Sequence, residues 1–417
     1  MKYRITAQHT HACNITLPAS KSISNRALII RAMARSTHPI HHLAVCDDTE
    51  VLSKALNGND TTIDIGAAGT AMRFLTAYFA SQEGSDVTIT GSDRMLQRPI
   101  APLVEALRQL GASIEYVGNE GFPPLRIKGS KLQGGHITMP GNISSQFISA
   151  ILLIAPYMQQ ALHITLQGEI LSLPYIDMTI GMMRHFGASV SRSDNRIEVH
   201  PSPYEPMPYD IEPDYSAASY WYQIAALNGH SYHLAHFPAT SMQGDAMIAI
   251  YATLWGVKTA FDSNGATLSA SQSGSDKPLQ LNLMGEPDLA QTIAITCALR
   301  GQHFSIEGIS NLRIKESNRI EALISEAAKL GYIFTSPRPD CLVWNGERCE
   351  VQHPIVIDTH NDHRMAMAFA PAALCHEEIW IDNPQVVSKS YPHYWSDLQE
   401  AGFIITHNET KENNSCL

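Results

Sequence analysis

Leu110-Gly111-Ala112-Ser113-Ile114 ends a helix-like segment on an apolar residue, passes through a glycine and leaves as a strand-like alternation. The same transition recurs at Phe186-Gly187-Ala188-Ser189-Val190, Trp255-Gly256-Val257-Lys258, Leu330-Gly331-Tyr332-Ile333 and Ala401-Gly402-Phe403-Ile404. Successive glycines lie 76, 69, 75 and 71 residues apart, a step too long for the common solenoids and propellers. Each falls where a helix ends and a residue tolerant of positive φ is favoured. The segments before them are amphipathic. Ile320, Leu323, Ile324, Ala327 and Ala328 share one helical face, and Ile100, Leu103, Val104 and Leu107 share another.

A second set of helices runs in phase with the first, apolar and rich in small residues. Each opens on a short polar cluster: Ser20-Lys21-Ser22, Gly69-Thr70, Ser144-Ser145-Gln146, Asp214-Tyr215-Ser216, Pro287-Asp288 and Asn361-Asp362-His363-Arg364. Counted from Ser20, Gly69, Ser144, Ser216, Asp288 and Asp362, the steps are 49, 75, 72, 72 and 74 residues. The chain therefore reads as six copies of an α/β unit of about 70 residues. The short first step predicts one reduced copy near residues 48–66, with only 17 residues between Asp48 and Gly66. Residues 200–215 carry five prolines, at 201, 203, 206, 208 and 213, which predicts an extended linker between the third and fourth copies. Residues 407–417 are polar without an apolar period and are expected to fray.

Composition narrows the function. Of 417 residues, 40 are acidic and 29 basic, a net charge of −11 with a pI near 5.9. An acidic chain with no long Lys/Arg run is a poor match to a nucleic acid backbone or an anionic membrane. No apolar run ahead of a cleavage site marks a signal peptide, and the most apolar stretch, residues 147–158, is too short for the ~20 residues of a membrane span. The seven cysteines are odd in number and never spaced Cys-x-x-Cys, which fits reduced thiols in a cytoplasmic protein. His9-Thr10-His11-Ala12-Cys13 alternates as a strand would, and His38, His41 and His42 form a second cluster. Neither has a carboxylate or second cysteine at ligand spacing, so no metal site is expected.

The six polar openings share one property. A helix N-terminus presents unpaired N–H groups and the positive end of its dipole, a ready site for phosphate or carboxylate. Ser, Thr and Asp there are also ordinary helix caps, so the cations decide. Lys21, Arg26, Arg94, Arg98, Arg313, Lys315, Arg319, Arg364 and Lys389 all lie in or beside such motifs, nine of the 29 basic residues. That concentration suits a polyanionic small molecule. For Lys315, Glu316 and Arg319 the competing reading is a solvated charge face on a helix. Phosphate loop, dinucleotide fingerprint and nucleophile elbow are all missing from the sequence.

These motifs resemble the enolpyruvyl transferase family, and most closely its branch acting on shikimate 3-phosphate. The resemblance spans nearly the whole chain. It rests on Ser20-Lys-Ser-Ile-Ser-Asn-Arg26, Gly69-Thr-Ala-Met-Arg73, Arg94-Met-x-x-Arg98-Pro99-Ile100, Ser144-Ser-Gln-Phe147 and Ser172-x-Pro-Tyr175-Ile-Asp177. It continues through Pro287-Asp288, Arg313-x-Lys-Glu316-Ser-x-Arg319 and Asn361-Asp-His-Arg-Met-Ala-Met367. The implied fold is an α/β protein of two domains, each an inside-out α/β barrel of three repeated βαβαββ-type units, with the active site in the cleft and the first unit shortened. The implied domains are 18–212, and 213–417 completed by 1–17.

The resemblance also implies transfer of the enolpyruvyl group of phosphoenolpyruvate to the 5-hydroxyl of shikimate 3-phosphate, without cofactor or metal, by a cytoplasmic monomer. Shikimate 3-phosphate would be held by Lys21, Ser22, Arg26, Ser144, Ser145, Gln146, Ser172, Asp288, Asn311 and Lys315. Phosphoenolpyruvate would be held by Lys21, Gly69, Arg94, Gln146, Arg319, Arg364 and Lys389. Asp288 would deprotonate the hydroxyl, Glu316 would serve the methylene carbon as proton donor and acceptor, and Lys21 would assist. Two positions depart from the family pattern: Ala67 where Asn is common, and Phe74 where Pro is frequent. Both bear on the phosphoenolpyruvate region and on sensitivity to glyphosate, an inhibitor of the family. The sister transferase acting on UDP-N-acetylglucosamine is disfavoured, because no cysteine lies between Cys46 and Cys297. A non-catalytic scaffold of the same fold is disfavoured by the presence of both Asp288 and Glu316.

Overall fold

The computed structural model describes residues 1–271 and 277–408. The chain forms two compact units, one of Pro18–Asp214 with Thr240–Gly244, the other of Met1–Leu17, Tyr215–Ala239 and Asp245–Leu417. They are called here the first and second unit.

Each unit repeats one strand order. In the first unit, Gly135–Pro140 runs parallel to Leu162–Gln167, followed by the hairpin strands Arg196–Val199 and Val190–Ser193, both antiparallel steps. Thr62–Asp64, Asp86–Thr90, Leu125–Lys128 and Ser113–Tyr116 take the same order. The remaining copy has only Tyr209–Asp210 parallel to Ile40–His41. Its shortening is therefore the loss of the terminal hairpin. Residues 48–66 are not themselves the rebuilt part, because they hold the helix Asp47–Asn57 and the first strand of the next copy. The proline-rich segment is likewise more than a linker. Its Tyr209–Asp210 supplies the first copy's opening strand, and Tyr204, buried, donates its hydroxyl to the Leu153 carbonyl at 2.9 Å.

The second unit needs the N-terminus to complete its sheets. Cys13–Ile15 runs parallel to Tyr232–Ala235, which continues to Gly265–Ala270 and Val257–Asp262. Lys2–Thr6 lies antiparallel between Ile379–Asp382 and Ile404–Asn408, with Val356–Asp358 at the far edge. The third sheet is Leu279–Asn282, Phe304–Glu307 and Leu342–Trp344. Two expectations change here. His9 and His11 are not strand residues; the strand begins at Cys13, and His11 N–H donates instead to the Ala401 carbonyl at 3.0 Å. His407 and Asn408 pair with Tyr3 and Lys2, and the rest of the tail expected to fray, 409–417, lies outside the described residues.

The two helix types differ in burial for a reason the sequence carries. Helices such as Ala101–Gln109 and Arg319–Lys329 bury one face and expose the other. The helices that begin at the polar clusters are buried on most sides, and those such as Ser145–Ile154 are apolar all round. Ser145–Ile154 buries nine of its ten residues and packs on Gly69–Ser81, which also touches Lys21–Met33. In the second unit Ala290–Leu299 packs between Tyr215–Asn228 and His363–Phe369. A helix apolar on every side has nowhere to go but the core. Its polar start must then reach the core's rim.

All five repeated glycines have φ between 82° and 99°. At Gly402 the need is double, since a Cβ would also lie 2.3 Å from the His9 carbonyl oxygen. Gly84 shares the positive φ, 86°, but has open space around it. Gly402→Ala should therefore lose more than ~1 kcal/mol in urea unfolding and Gly84→Ala only the backbone share of that. Equal losses would remove the close approach as the cause.

Candidate active site

In the first unit the helix starts converge. Lys21 is the first residue of Lys21–Met33; its N–H donates to Asp214 Oδ2 at 3.3 Å and its ammonium pairs with Asp48 Oδ2 at 3.4 Å. Ser22 follows, and its carbonyl accepts from Arg26 Nη1 at 2.8 Å. Arg26 is buried one turn down, held by Thr179 Oγ1 at 2.7 Å, Tyr175 O at 3.1 Å and Ser149 Oγ at 3.2 Å. These are neutral oxygens, so burial pulls its pKa down to about 10, and an anionic ligand would complete it. Phe74, buried, lies beneath this guanidinium at 5.6 Å, while Ala67 is exposed.

Gly69 opens Gly69–Ser81, and its lack of a side chain has a specific cause. A Cβ there would lie 2.7 Å from Arg98 Nη1. Arg98 is buried over this helix start, whereas Arg94, on Asp93–Leu96, is exposed. Ser144 caps Ser145–Ile154, its hydroxyl accepting from Gln146 N–H at 3.4 Å. The Gln146 amide donates to Thr70 Oγ1 at 3.2 Å, which ties two openings together. Ser172, buried, starts Leu173–His185 from a left-handed conformation, φ 56° and ψ 39°.

In the second unit the openings meet as a charge cluster. Asp288 sits in the 3-10 turn Pro287–Leu289 that leads into Ala290–Leu299. Its carboxylate pairs with Arg319 Nη1 at 2.9 Å, Arg364 Nη2 at 3.0 Å and Lys315 Nζ at 3.4 Å. Glu316 pairs with Arg319 Nη2 at 3.0 Å and Lys389 Nζ at 3.1 Å. Asp362, buried at the cap of His363–Phe369, accepts from Arg319 Nε at 2.7 Å and from the Arg364 N–H at 3.0 Å. Arg364 Nη2 also reaches Ser216 Oγ at 3.3 Å. Asn311 is buried nearby in sequence, on the 3-10 turn Ser310–Ile314.

The charge-face reading of Lys315, Glu316 and Arg319 is thereby overturned. The helix begins only at Arg319, so Lys315 and Glu316 precede it, and the Arg319 side chain is 2% exposed. Burial works against ionised Asp288, but Arg364, Lys315 and Arg319 outweigh it and hold the carboxyl well below its ordinary range. Burial also opposes the Arg319 charge, yet Asp362, Glu316 and Asp288 raise its pKa above the usual value. For Lys315 burial prevails, and its pKa falls despite Asp288.

A family model described as EPSP synthase (3-phosphoshikimate 1-carboxyvinyltransferase) matches residues 51–398. A Bacteroides fragilis protein named 3-phosphoshikimate 1-carboxyvinyltransferase is 52% identical over 407 residues, 97% of this chain and 99% of that protein. The chain belongs to the EPSP synthase family. A Vibrio cholerae relative of the same name is 36% identical over 421 residues, 93% of this chain and 96% of its own. Among solved structures, an EPSP synthase from Acinetobacter baumannii shares the fold with a TM-score of 0.74 at 21% identity, covering 98% of this chain and all of that one.

Several residues of the candidate site are not among the binding and catalytic residues expected from sequence. Asp48 meets Lys21, while Asp214, Arg98, Ser216 and Asp362, read from sequence only as members of helix openings or of the cation set, lie at Lys21, over Gly69, at Arg364 and at Arg319 respectively. Ser149 and Thr179 carried a usable signal, since each lies four residues beyond an assigned motif position, Ser145 and Tyr175, and so on the same helical face. Asp48 carried none, because it reaches Lys21 only through the tertiary fold.

The cluster makes acid sensitivity predictable. Asp288 has a depressed pKa in the folded chain, so its stabilisation is complete above the unfolded value of ~4 and disappears as pH falls through the folded value. Asp288→Asn should be less stable than wild type at pH 7, by about 3 kcal/mol for a broken buried pair. That gap should narrow below pH ~4, measured by urea unfolding across pH. A gap independent of pH would mean Asp288 is not held ionised by its arginines.

Proposed function

We propose that this chain transfers the enolpyruvyl group of phosphoenolpyruvate to the 5-hydroxyl of shikimate 3-phosphate, releasing phosphate. The observation that carries the reading is the joint position of Asp288 and Glu316. Two carboxylates share the buried Arg319, which approaches them at 2.9 and 3.0 Å, within one cluster of Lys315, Arg364 and Lys389. A reaction on two polyanions that needs one base and one proton carrier requires such a group.

In the addition step the 5-hydroxyl oxygen bonds to C2 of phosphoenolpyruvate while the methylene carbon gains a proton and becomes a methyl group. Asp288 takes the hydroxyl proton, and Glu316, in its acid form once the substrates' anionic groups occupy the surrounding cations, supplies the proton to carbon. In the elimination step the C2–O bond to phosphate breaks, the phosphate leaving with the proton held by Asp288, and the methyl group returns its proton to Glu316, which restores the methylene. Asp288, kept ionised by Arg364, Lys315 and Arg319, meets the first requirement of a base. Lys389, 3.1 Å from Glu316, stands where it stabilises the carboxylate after proton donation. Lys21 assists, its ammonium oriented by Asp48.

We assign shikimate 3-phosphate to Lys21, Ser22, Arg26, Ser144, Ser145, Gln146, Ser172, Asp288, Asn311 and Lys315. Phosphoenolpyruvate falls to Lys21, Gly69, Arg94 and Gln146, with Arg319, Arg364 and Lys389. Hydroxyl donors, helix N-termini and cations suit phosphates and carboxylates alike. The enzyme acts as a cytoplasmic monomer on small molecules.

Phosphate release from phosphoenolpyruvate should require shikimate 3-phosphate and should not occur with UDP-N-acetylglucosamine. Release with the UDP-sugar alone sinks the assignment. Glu316→Gln should still bind both substrates and lose ~10²–10⁴ in turnover, whereas a variant within a few fold of wild type would leave Glu316 no part in proton transfer. Phe74→Pro should shift the glyphosate inhibition constant, and an unchanged constant removes Phe74 as a determinant.

A further inference from the structure

Glu326 lies outside the charge cluster, yet it is 2% exposed and ionically engaged. Its Oε2 accepts from Lys329 Nζ at 2.6 Å and from the Asp358 N–H at 2.9 Å. Its Oε1 accepts from His360 Nε2 at 3.0 Å and from Ser325 Oγ at 3.2 Å. Lys329 in turn donates to the Val356 carbonyl at 3.0 Å. A glutamate three residues before a lysine on an amphipathic helix reads from sequence as a solvated pair. Here it is a buried carboxylate with two of its four partners, Asp358 and His360, on a different segment.

That segment is the turn leading to Asp362 and Arg364. His360 and Asn361 have φ of 50° and 55°, a left-handed region that residues other than glycine occupy only when their surroundings over-determine it. The surroundings are specific. Asp358 Oδ1 accepts from the His360 N–H at 2.7 Å, Asn383 Nδ2 donates to Asn361 Oδ1 at 2.8 Å, and Glu326 takes both the Asp358 amide and the His360 ring. Arg319 and Glu326 are seven residues apart on the helix Arg319–Lys329, two turns and ~10.5 Å along one face. One helix thus grips the segment at two points, with Arg319 on Asp362 and Glu326 on Asp358 and His360. The two grips add to the strand pairing of Val356–Asp358 in fixing its register. Buried ion pairs are weak sources of stability, so a buried carboxylate at this place is better accounted for by what it orients.

We propose that Glu326, through His360, is a positioning residue for phosphoenolpyruvate binding: the pair clamps the turn that sets Asp362 and Arg364 in place. The proposal rests on the reading of Arg364 as a phosphoenolpyruvate ligand.

His360→Ala removes one arm of the clamp at a side chain that is 33% exposed, so the fold should survive. Its KM for phosphoenolpyruvate should rise about tenfold, a change of ~1.4 kcal/mol, with kcat and shikimate 3-phosphate affinity within about twofold. His360→Gln, whose amide N–H replaces the imidazole donor, should recover the KM. Glu326→Gln, which keeps one acceptor oxygen of two, should raise the same KM. A wild-type KM in His360→Ala, or a loss that His360→Gln does not recover, overturns the clamp. Arg364→Lys separates the two readings. If it raises the phosphoenolpyruvate KM and His360→Ala does not, the clamp fails alone. If Arg364→Lys leaves that KM unchanged, the ligand assignment fails, and hydrogen exchange then judges the clamp. Faster exchange of the Asp358 and Arg364 amides in His360→Ala supports it, and unchanged exchange overturns it.

Discussion

The second unit is organised around the guanidinium of Arg319. Its three nitrogens engage Asp288, Glu316 and Asp362 at 2.7–3.0 Å, with the side chain almost wholly out of solvent. A rigid fork of donors with a permanent charge can hold three carboxylates at fixed angles, which an ammonium cannot. Each carboxylate arrives on a different segment: a 3-10 turn, the loop before a helix, and the cap of another helix. Three carboxylates brought this close would repel one another without it. With it they become fixed points to which Lys315, Arg364 and Lys389 attach.

The repeat makes such a convergence possible. Every copy contributes one largely buried helix, and burial of that helix brings its polar start to the rim of the core. The copies then diverge in what they place there. The first unit uses hydroxyls, a glycine at Gly69 and separate cations, Arg26 on neutral oxygens and Lys21 on Asp48. The second uses paired charges. The reduced copy shows which parts are dispensable. It lacks the terminal hairpin but retains Lys21–Met33 with its polar start, and Tyr209–Asp210 keeps the remaining strand paired.

Legibility from sequence followed the range of the interaction. The five glycine caps were visible because positive φ is a local demand that glycine meets without penalty, and all five have it. The helix openings were visible for a similar reason, as Ser144 and Asp362 cap through their own chain neighbours. Where the helix began at Arg319 was not visible, since an i, i+4 charge pattern reads alike on a surface and at a buried start. The proline-rich segment misled in the same way. Proline reports an extended backbone, but not that two of its residues would be claimed as a strand by Ile40–His41.

Sequence by itself therefore determined the six-fold repeat, the two classes of helix, the polar openings and the family with its chemistry, because each is written in local pattern. Only the tertiary structure decided which charges meet. Asp48 at Lys21, Arg98 over Gly69, Asp362 at Arg319 and Glu326 at His360 are pairings between segments distant in sequence or differing in burial. Ion pairs gain their strength and orientation from exclusion of water. That exclusion is a property of the packed core, and no residue carries it alone.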